Sequence, residues 1–251
     1  MITLDQLKAW SIRNIPPILQ APFRTTYHRH NSTFFADGFA TIHHVEFLHD
    51  QNFLKAYAEA FGGLPSRFDR WRDEYTLAWR AHIYLWAALR ASKVNGVFVE
   101  CGVWYGILAA FLCRYFNEPD AGKPFYLFDT FGKMLGSHSD PNYQEDIWEV
   151  VVSRFKDFKN VNLVRGLLPG TLSELPPDAS VAFLSIDVNS NDLEVEILKS
   201  LWERIPQGGV VYFDDYGWPY PGLRSSVNEF LLVHKQDLLH FPSGNSILIK
   251  S

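Results

Sequence analysis

The sequence predicts an α/β fold: a mostly parallel, seven-stranded sheet covered by helices and closed by a C-terminal antiparallel hairpin. Three observations carry this. From Val94 onward, short apolar runs alternate with helical periodicity, the pattern of βαβ units. Those runs are apolar almost throughout, as in strands buried on both faces. The tail differs, placing two short runs around Pro242-Ser243-Gly244-Asn245, which reads as a hairpin.

In chain order, the expected strands are VFVEC (97–101), FYLFD (125–129), VNLVRG (161–166), VAFLSID (181–187) and GVVYFDD (209–215). ILAAFLCRYF after the first strand reads as a helix. Between the fourth and fifth, Leu193, Ile197, Leu198, Leu201 and Trp202 share one helical face. Pro206-Gln207-Gly208-Gly209 ends that helix. Leu223, Val227, Phe230 and Leu231 mark another helix after the fifth strand.

Residues 1–93 are different in kind from 94–251. Leu4, Leu7, Ile12 and Ile15 predict an opening helix that stops before Pro16-Pro17. Residues 24–49 are polar and aromatic with no clean period, and 71–91 predict one long helix. The whole region reads as a helical cap, part of it a lid, over the strand ends.

Composition excludes several classes. Twenty-three basic residues against 28 acidic, with no basic run, argue against a nucleic-acid partner. The N-terminus lacks the basic flank and apolar core of a signal peptide. The longest apolar stretch, Val97 to Cys113, is too short and carries Glu100, so membrane insertion is not expected. A soluble, cytoplasmic protein follows. The two cysteines, Cys101 and Cys113, lie in apolar segments and read as buried thiols.

The chemistry is expected at the carboxyl ends of the strands, where open α/β sheets hold ligands. Those ends are acidic: Glu100, Asp129, Asp187 and the pair Asp214-Asp215. The first βα turn runs Glu100-Cys101-Gly102-Val103-Trp104-Tyr105-Gly106. Its GxxxG spacing is neither the dinucleotide fingerprint nor a P-loop. An acid before the glycine turn suits a cationic ligand better than a phosphate. S-adenosylmethionine, with an ammonium and a sulfonium, fits, and Asp129 is placed to take its ribose hydroxyls. Asp187, Asp214 and Asp215 close adjacent strands about 4.8 Å apart. Three crowded carboxylates repel unless neutralised, and a hard divalent cation, Mg²⁺, is the simplest answer. In the alternative, Asp215 caps the next segment and Asp214 faces solvent. The pairs His28/His30 and His43-His44 lack zinc-ligand spacing. His82 reads as a packed histidine, and His138, in the loop after Asp129, as facing the crevice. No G-x-S-x-G elbow is present.

WRAHIYLWAA, FVECGVWYG, YLFDTF, VRGLLPGTL, SIDVN, IPQGGVVYFDDYG and FPSGNSILIK together resemble the macrocin O-methyltransferase (TylF) family, from about Trp71 to Lys250. The resemblance implies a Rossmann-like methyltransferase fold and S-adenosylmethionine- and Mg²⁺-dependent methylation of a hydroxyl on a sugar, glycosylated natural product or polysaccharide precursor. It implies that Glu100, Gly102 and Gly106, with Trp104 and Tyr105 of the same turn, line the methionine end of the donor. Asp129 would hold the ribose, Thr130 and Phe131 would flank the adenosine, and Gly166 would lie against the adenine. Asp187, Asp214 and Asp215 match the family's metal-binding carboxylates. A homodimer is the assembly it implies.

One departure bears on mechanism. The antibiotic-pathway enzymes carry an acidic pair two apart at the fourth strand end, whereas this chain has Asp187-Val188-Asn189. Asn ligates through its carbonyl oxygen but accepts no proton. Asp187 and Asn189 stand at the reaction centre, with His138 or a metal-bound water as the replacement base. The aromatic groups Trp71, Trp79, Tyr216, Trp218 and Tyr220 are expected to stack on sugar faces, Trp79 equally to pack the core. Two other readings use the same crevice: a metal-dependent hydrolase or lyase, and an inactive S-adenosylmethionine-binding protein.

Overall fold

The computed structural model of the chain describes residues 32–116, 122–132, 145–217 and 223–251. The expected opening helix, His138, Trp218 and Tyr220 lie outside these residues. Among the described residues, seven strands form one sheet in the order β5-β4-β3-β6-β7-β9-β8. The first five positions are β5 (Val161–Arg165), β4 (Phe125–Asp129), β3 (Val97–Cys101), β6 (Val181–Ile186) and β7 (Val210–Phe213), all parallel. β9 (Ser246–Ile249) then pairs antiparallel with both β7 and β8 (Leu239–His240), the hairpin expected around Pro242–Asn245.

Alternation sends successive strand side chains to opposite faces, and each face has its own core. Phe98, Phe125, Leu127, Phe183 and Tyr212 pack against helices α1 (Gln51–Glu59), α3 (Ala78–Ala91), α4 (Ile107–Phe116) and α5 (Trp148–Phe155). Val99, Cys101, Phe128, Leu184, Ile186 and Phe213 pack against α6 (Asn191–Leu201) and α7 (Leu223–His234). Both cysteines are buried and unpaired, as their apolar settings predict. No described helix is long and apolar enough to cross a membrane.

The segment before β3 departs from an all-helical cap in two places. Phe34–Ala36 and Phe39–Thr41 form a hairpin, β1-β2, across the turn Asp37-Gly38. Both turn residues have positive φ (51° and 71°), the geometry for which Asp-Gly is suited. The helix expected over 71–91 is broken: α2 (Asp69–Asp73) ends at a turn where Tyr75 has φ 54°, and α3 begins at Ala78. The Tyr57 hydroxyl holds the break by donating to the Trp71 carbonyl oxygen (2.9 Å) and accepting from the Leu77 N–H (3.1 Å). The Trp71 carbonyl also accepts from the Thr76 N–H (3.0 Å), so the Leu77 N–H is the group that depends on Tyr57.

Candidate active site

Sheet order reverses between β3 and β6, and the crevice for a ligand opens there. Gly102 makes the two strand ends meet. Its N–H bonds the Phe128 carbonyl (2.9 Å), and the Asp187 N–H bonds the Cys101 carbonyl (2.8 Å). Gly102 has φ 84°, and a Cβ there would overlap the Asp187 carbonyl oxygen. A cleft beside it is lined by Gly102, Trp104, Asp129, Thr130, Gly166, Asp187 and Asn189, together with Leu167, Leu168, Val188 and Leu193. The polar members were expected from sequence. The apolar wall was not: Leu167 and Leu168 follow a strand end in a loop without periodicity, and Leu193 was assigned to a helical face.

Asp129 does more than face this cleft. Its Oδ2 accepts the N–H groups of Val103 and Trp104, each at 2.7 Å, and its Oδ1 accepts that of Phe131 at 2.8 Å. The carboxylate therefore clips the glycine turn to the end of β4. Asp129→Asn puts an amide donor against one of these N–H groups. We expect S-adenosylhomocysteine binding to weaken about 10–100-fold, since a charged hydrogen bond is worth about 1.5–3 kcal/mol. Calorimetry with the same ligand checks it; unchanged affinity would show that the clip does not shape the cleft.

Four residues expected at the donor lie elsewhere. Glu100 points to the α3 face of the sheet, where it accepts a hydrogen bond from the Tyr84 hydroxyl. The Tyr105 ring is buried against Phe68, and its hydroxyl accepts from Arg67 (2.8 Å). Phe131 packs on Trp148, and Gly106 precedes α4 and abuts the Phe155 ring. In each case strand alternation or turn geometry, invisible in a linear motif, sets the direction.

Burial of Glu100, with the charges of Asp214 and Asp129 adding and the Tyr84 bond opposing, pushes its carboxyl from 4.5 to about 8. The folded chain thus holds a proton that the unfolded chain releases above 4.5. This contribution is fully present below pH 4.5 and lost as pH rises through about 8. In EDTA, Glu100→Gln is expected to match the wild type near pH 4 and exceed it at pH 9 by a few kcal/mol. Urea unfolding at the two pH values reads this. A stability difference independent of pH would mean that Glu100 is ionised throughout.

Across the sheet end from the cleft, Asp187, Asp214 and Asp215 each bring a carboxylate oxygen within 4.8 Å of the others. Asp214 and Asp215 are buried, so neither faces solvent. Asp187 and Asp215 share a hydrogen bond, and burial followed by the Asp214 charge raises both, Asp215 to about 7. The sequence reading missed the nearest counter-charge. Arg80, buried on α3, pairs with Asp214 and lies 3.9 Å from Asp215. Its other donors reach both Asp37 oxygens at 3.1 Å and the Ser243 carbonyl at 3.2 Å. Asp37 is the hairpin turn residue, so Arg80 ties β1-β2 to the acidic centre. Tyr212 donates to Asp214 (2.9 Å) and accepts from Asn245 (2.9 Å), completing the network. The missed signal was an arginine four residues before Tyr84 on the buried face of an apolar helix, where charge needs partners.

The remaining candidates sort by packing. His82 stacks on Phe47 (4.4 Å between centroids), and its pKa is lowered by burial. Trp79 packs edge-on against Phe39 and Phe47, and buried Tyr216 donates to Asn228 (2.7 Å); both belong to the interior. Trp71 packs against Phe68 and, at 6.1 Å, Trp104 of the cleft. Asn189 has φ 51°, a conformation that Asn tolerates better than most residues. No histidine joins a metal-ligand cluster among the described residues.

Residues 84–239 match the macrocin O-methyltransferase (TylF) family, more than half of the chain. The chain belongs to this family. It is an S-adenosylmethionine-dependent O-methyltransferase, which sets aside the hydrolase or lyase reading. Solved structures with the same fold include the O-methyltransferase NovP, at 19% identity and TM-score 0.57, covering 68% of this chain and 79% of NovP. CalS11, a TDP-rhamnose 3′-O-methyltransferase of calicheamicin biosynthesis, aligns at 19% identity and TM-score 0.53, over 82% of this chain and 96% of its own. The Podospora anserina methyltransferase PaMTH1, solved with S-adenosylhomocysteine, aligns at 13% identity and TM-score 0.53, over 94% and 98%. These likenesses carry the Rossmann-like methyltransferase fold to this family member. No curated protein sequence matches it.

Proposed function

We propose that this methyltransferase acts on a hydroxyl of a sugar or glycosylated acceptor, with a divalent cation, Mg²⁺, held by Asp187, Asp214 and Asp215. One observation carries the reading: Asp187 lines the donor cleft and also belongs to the carboxylate trio, so methyl donor and cation share a wall. CalS11, a TDP-rhamnose 3′-O-methyltransferase, and the family's name supply the acceptor class.

The residues fit both groups. All three carboxylates offer hard oxygen donors, the set Mg²⁺ takes, and Arg80 neutralises only part of their charge. The cleft pairs an apolar wall of Leu167, Leu168, Val188 and Leu193, suited to adenine, with the polar turn. Bound there, S-adenosylmethionine supplies an electrophilic methyl group and the cation Lewis-acid activation of the hydroxyl.

The chain's own groups do the positioning. Gly102 and the Asp129 clip fix the turn that meets the donor, and Asn189 offers an amide to orient the acceptor oxygen without taking its proton. The β1-β2 hairpin would border the acceptor, since the Arg80–Asp37 pair draws it onto the acidic centre. His138 and Asp215 are the two groups suited to hold the acceptor's proton, and His138→Ala separates them. Turnover falling by about 10²–10⁴-fold assigns the proton to His138. Unchanged turnover and pH profile assign it to the carboxylates.

Radiolabelled S-adenosylmethionine and nucleotide-linked deoxysugars, with Mg²⁺ or with EDTA, test the proposal. Label transfer is expected with Mg²⁺ and to fall at least ~10²-fold in EDTA. Equal transfer in EDTA would remove the cation, and transfer only to non-glycosidic hydroxyls would remove the sugar.

A further inference from the structure

Glu194 stands in the first turn of α6, just past the loop that carries Asp187 and Asn189. It is 1% exposed, and neither carboxylate oxygen has a hydrogen-bond partner. Glu100, Asp129 and Asp214 all have donors aimed at them. A charged group buried without a partner costs several kcal/mol. The helix N-terminus offsets about 0.3–1 kcal/mol of that, too little to account for the placement.

The charges that Glu194 feels most are those of Asp215 and then Asp214, both of its own sign. Arg80 does not relieve it. The guanidinium is taken up by Asp37, Asp214 and the Ser243 carbonyl, and reaches Asp215 only at 3.9 Å. Of Asp187, Asp215 and Glu194, Arg80 comes within 4 Å only of Asp215, so Glu194 gains no partner from the arginine. Glu194 lies outside the group of carboxylates within 4.8 Å of one another, so it is no direct partner in that group.

We propose that Glu194 is a positioning residue for the divalent cation, accepting hydrogen bonds from the ion's water ligands; this rests on the cation reading above. Mg²⁺ keeps several waters when bound by a few carboxylates, and such waters need acceptors. An unpartnered carboxylate beside the trio supplies two acceptor oxygens where the aspartates are already engaged with one another and with Arg80. Burial and the neighbouring aspartates push its carboxyl to about 8, the state expected before a cation arrives.

Mn²⁺ binding to the full chain at pH 8.5, without methyl donor, followed by electron paramagnetic resonance, tests this. Glu194→Gln is expected to weaken Mn²⁺ affinity about 10–100-fold, the usual loss when a group behind a metal's ligands is removed. The same variant in EDTA is expected to melt no lower than the wild type, because an unpaired buried charge has gone. Glu194→Asp, which keeps the charge, is expected to bind Mn²⁺ more tightly than Glu194→Gln. Equal affinity in wild type and Glu194→Gln overturns this inference and leaves the cation site standing. Equal weakening in the Asp and Gln variants overturns the charge argument. No Mn²⁺ binding by the wild type overturns the cation reading and this inference together.

Discussion

Arg80→Met is expected to destabilise the chain by about 3–5 kcal/mol, the usual cost of breaking a buried ion pair from one side. Methionine fills most of the arginine's volume, so the loss is chiefly electrostatic. The Asp37 and Asp214 side chains, both buried, would be left with no guanidinium between them, and the Ser243 carbonyl would lose its donor. The hairpin would also be released from the acidic centre. Urea unfolding at pH 7.5 measures the loss, and protease susceptibility at 33–43 reports on the hairpin. Arg80→Lys is expected to recover only part of the stability, because an ammonium cannot engage Asp37 through two parallel bonds. A loss below ~1 kcal/mol for Arg80→Met would show that the network contributes little. Addition of Mg²⁺ is expected to restore part of the stability, since a cation on the trio replaces the missing charge.

Gly102→Ala is expected to abolish donor binding, lowering S-adenosylhomocysteine affinity by about 100-fold or more. Two effects add. The left-handed backbone costs an alanine about 1–2 kcal/mol, and the new methyl would occupy the place of the Asp187 carbonyl oxygen, forcing β3 and β6 apart. Overpacking of this kind costs about 1–3 kcal/mol. The displaced backbone carries Asp187, so the cleft and the carboxylate trio move together. Gly170→Ala is the control: a Cβ there meets nothing within 4 Å, and its φ is not in the left-handed region. Calorimetry on both variants decides the matter. Full affinity in Gly102→Ala would mean that the strand ends can separate without closing the donor site.

The sheet was legible because its central strands are buried on both faces and so read as nearly unbroken apolar runs, from VFVEC to VVYF. The expected ends of 161–166 and 209–215 ran long by one and two residues, where the Gly166 and Asp214 N–H groups still bond the neighbouring strands but the regular ladder has ended. The region before β3 was less legible. Asp37-Gly38 between FFA and FAT is a hairpin signal of only three residues a side, lost among polar and aromatic neighbours. The break at Tyr75 carries no glycine or proline and depends on a hydroxyl from Tyr57, eighteen residues earlier.

The candidate site divides the same way. Acidic strand ends and the glycine turn located the crevice, and seven of the expected residues line it: Gly102, Trp104, Asp129, Thr130, Gly166, Asp187 and Asn189. Asp187, Asp214 and Asp215 also converge as their adjacent strands require. Glu100 was misdirected because one residue of register moves a side chain to the other face of the sheet.

By itself, the sequence determined the layered α/β architecture, the family and the end of the sheet where the acidic residues and the glycine turn gather. Each of these rests on local pattern: hydrophobic period, turn residues and short motifs. Only the tertiary structure decided which charges meet. Arg80 lies 134 positions from Asp214 and 43 from Asp37, yet it joins them. Strand order and helix packing bring Asp214 and Asp215 beside Glu194, which is left without a partner. Coulomb energy depends on separation in space and on burial, and neither is written along the chain.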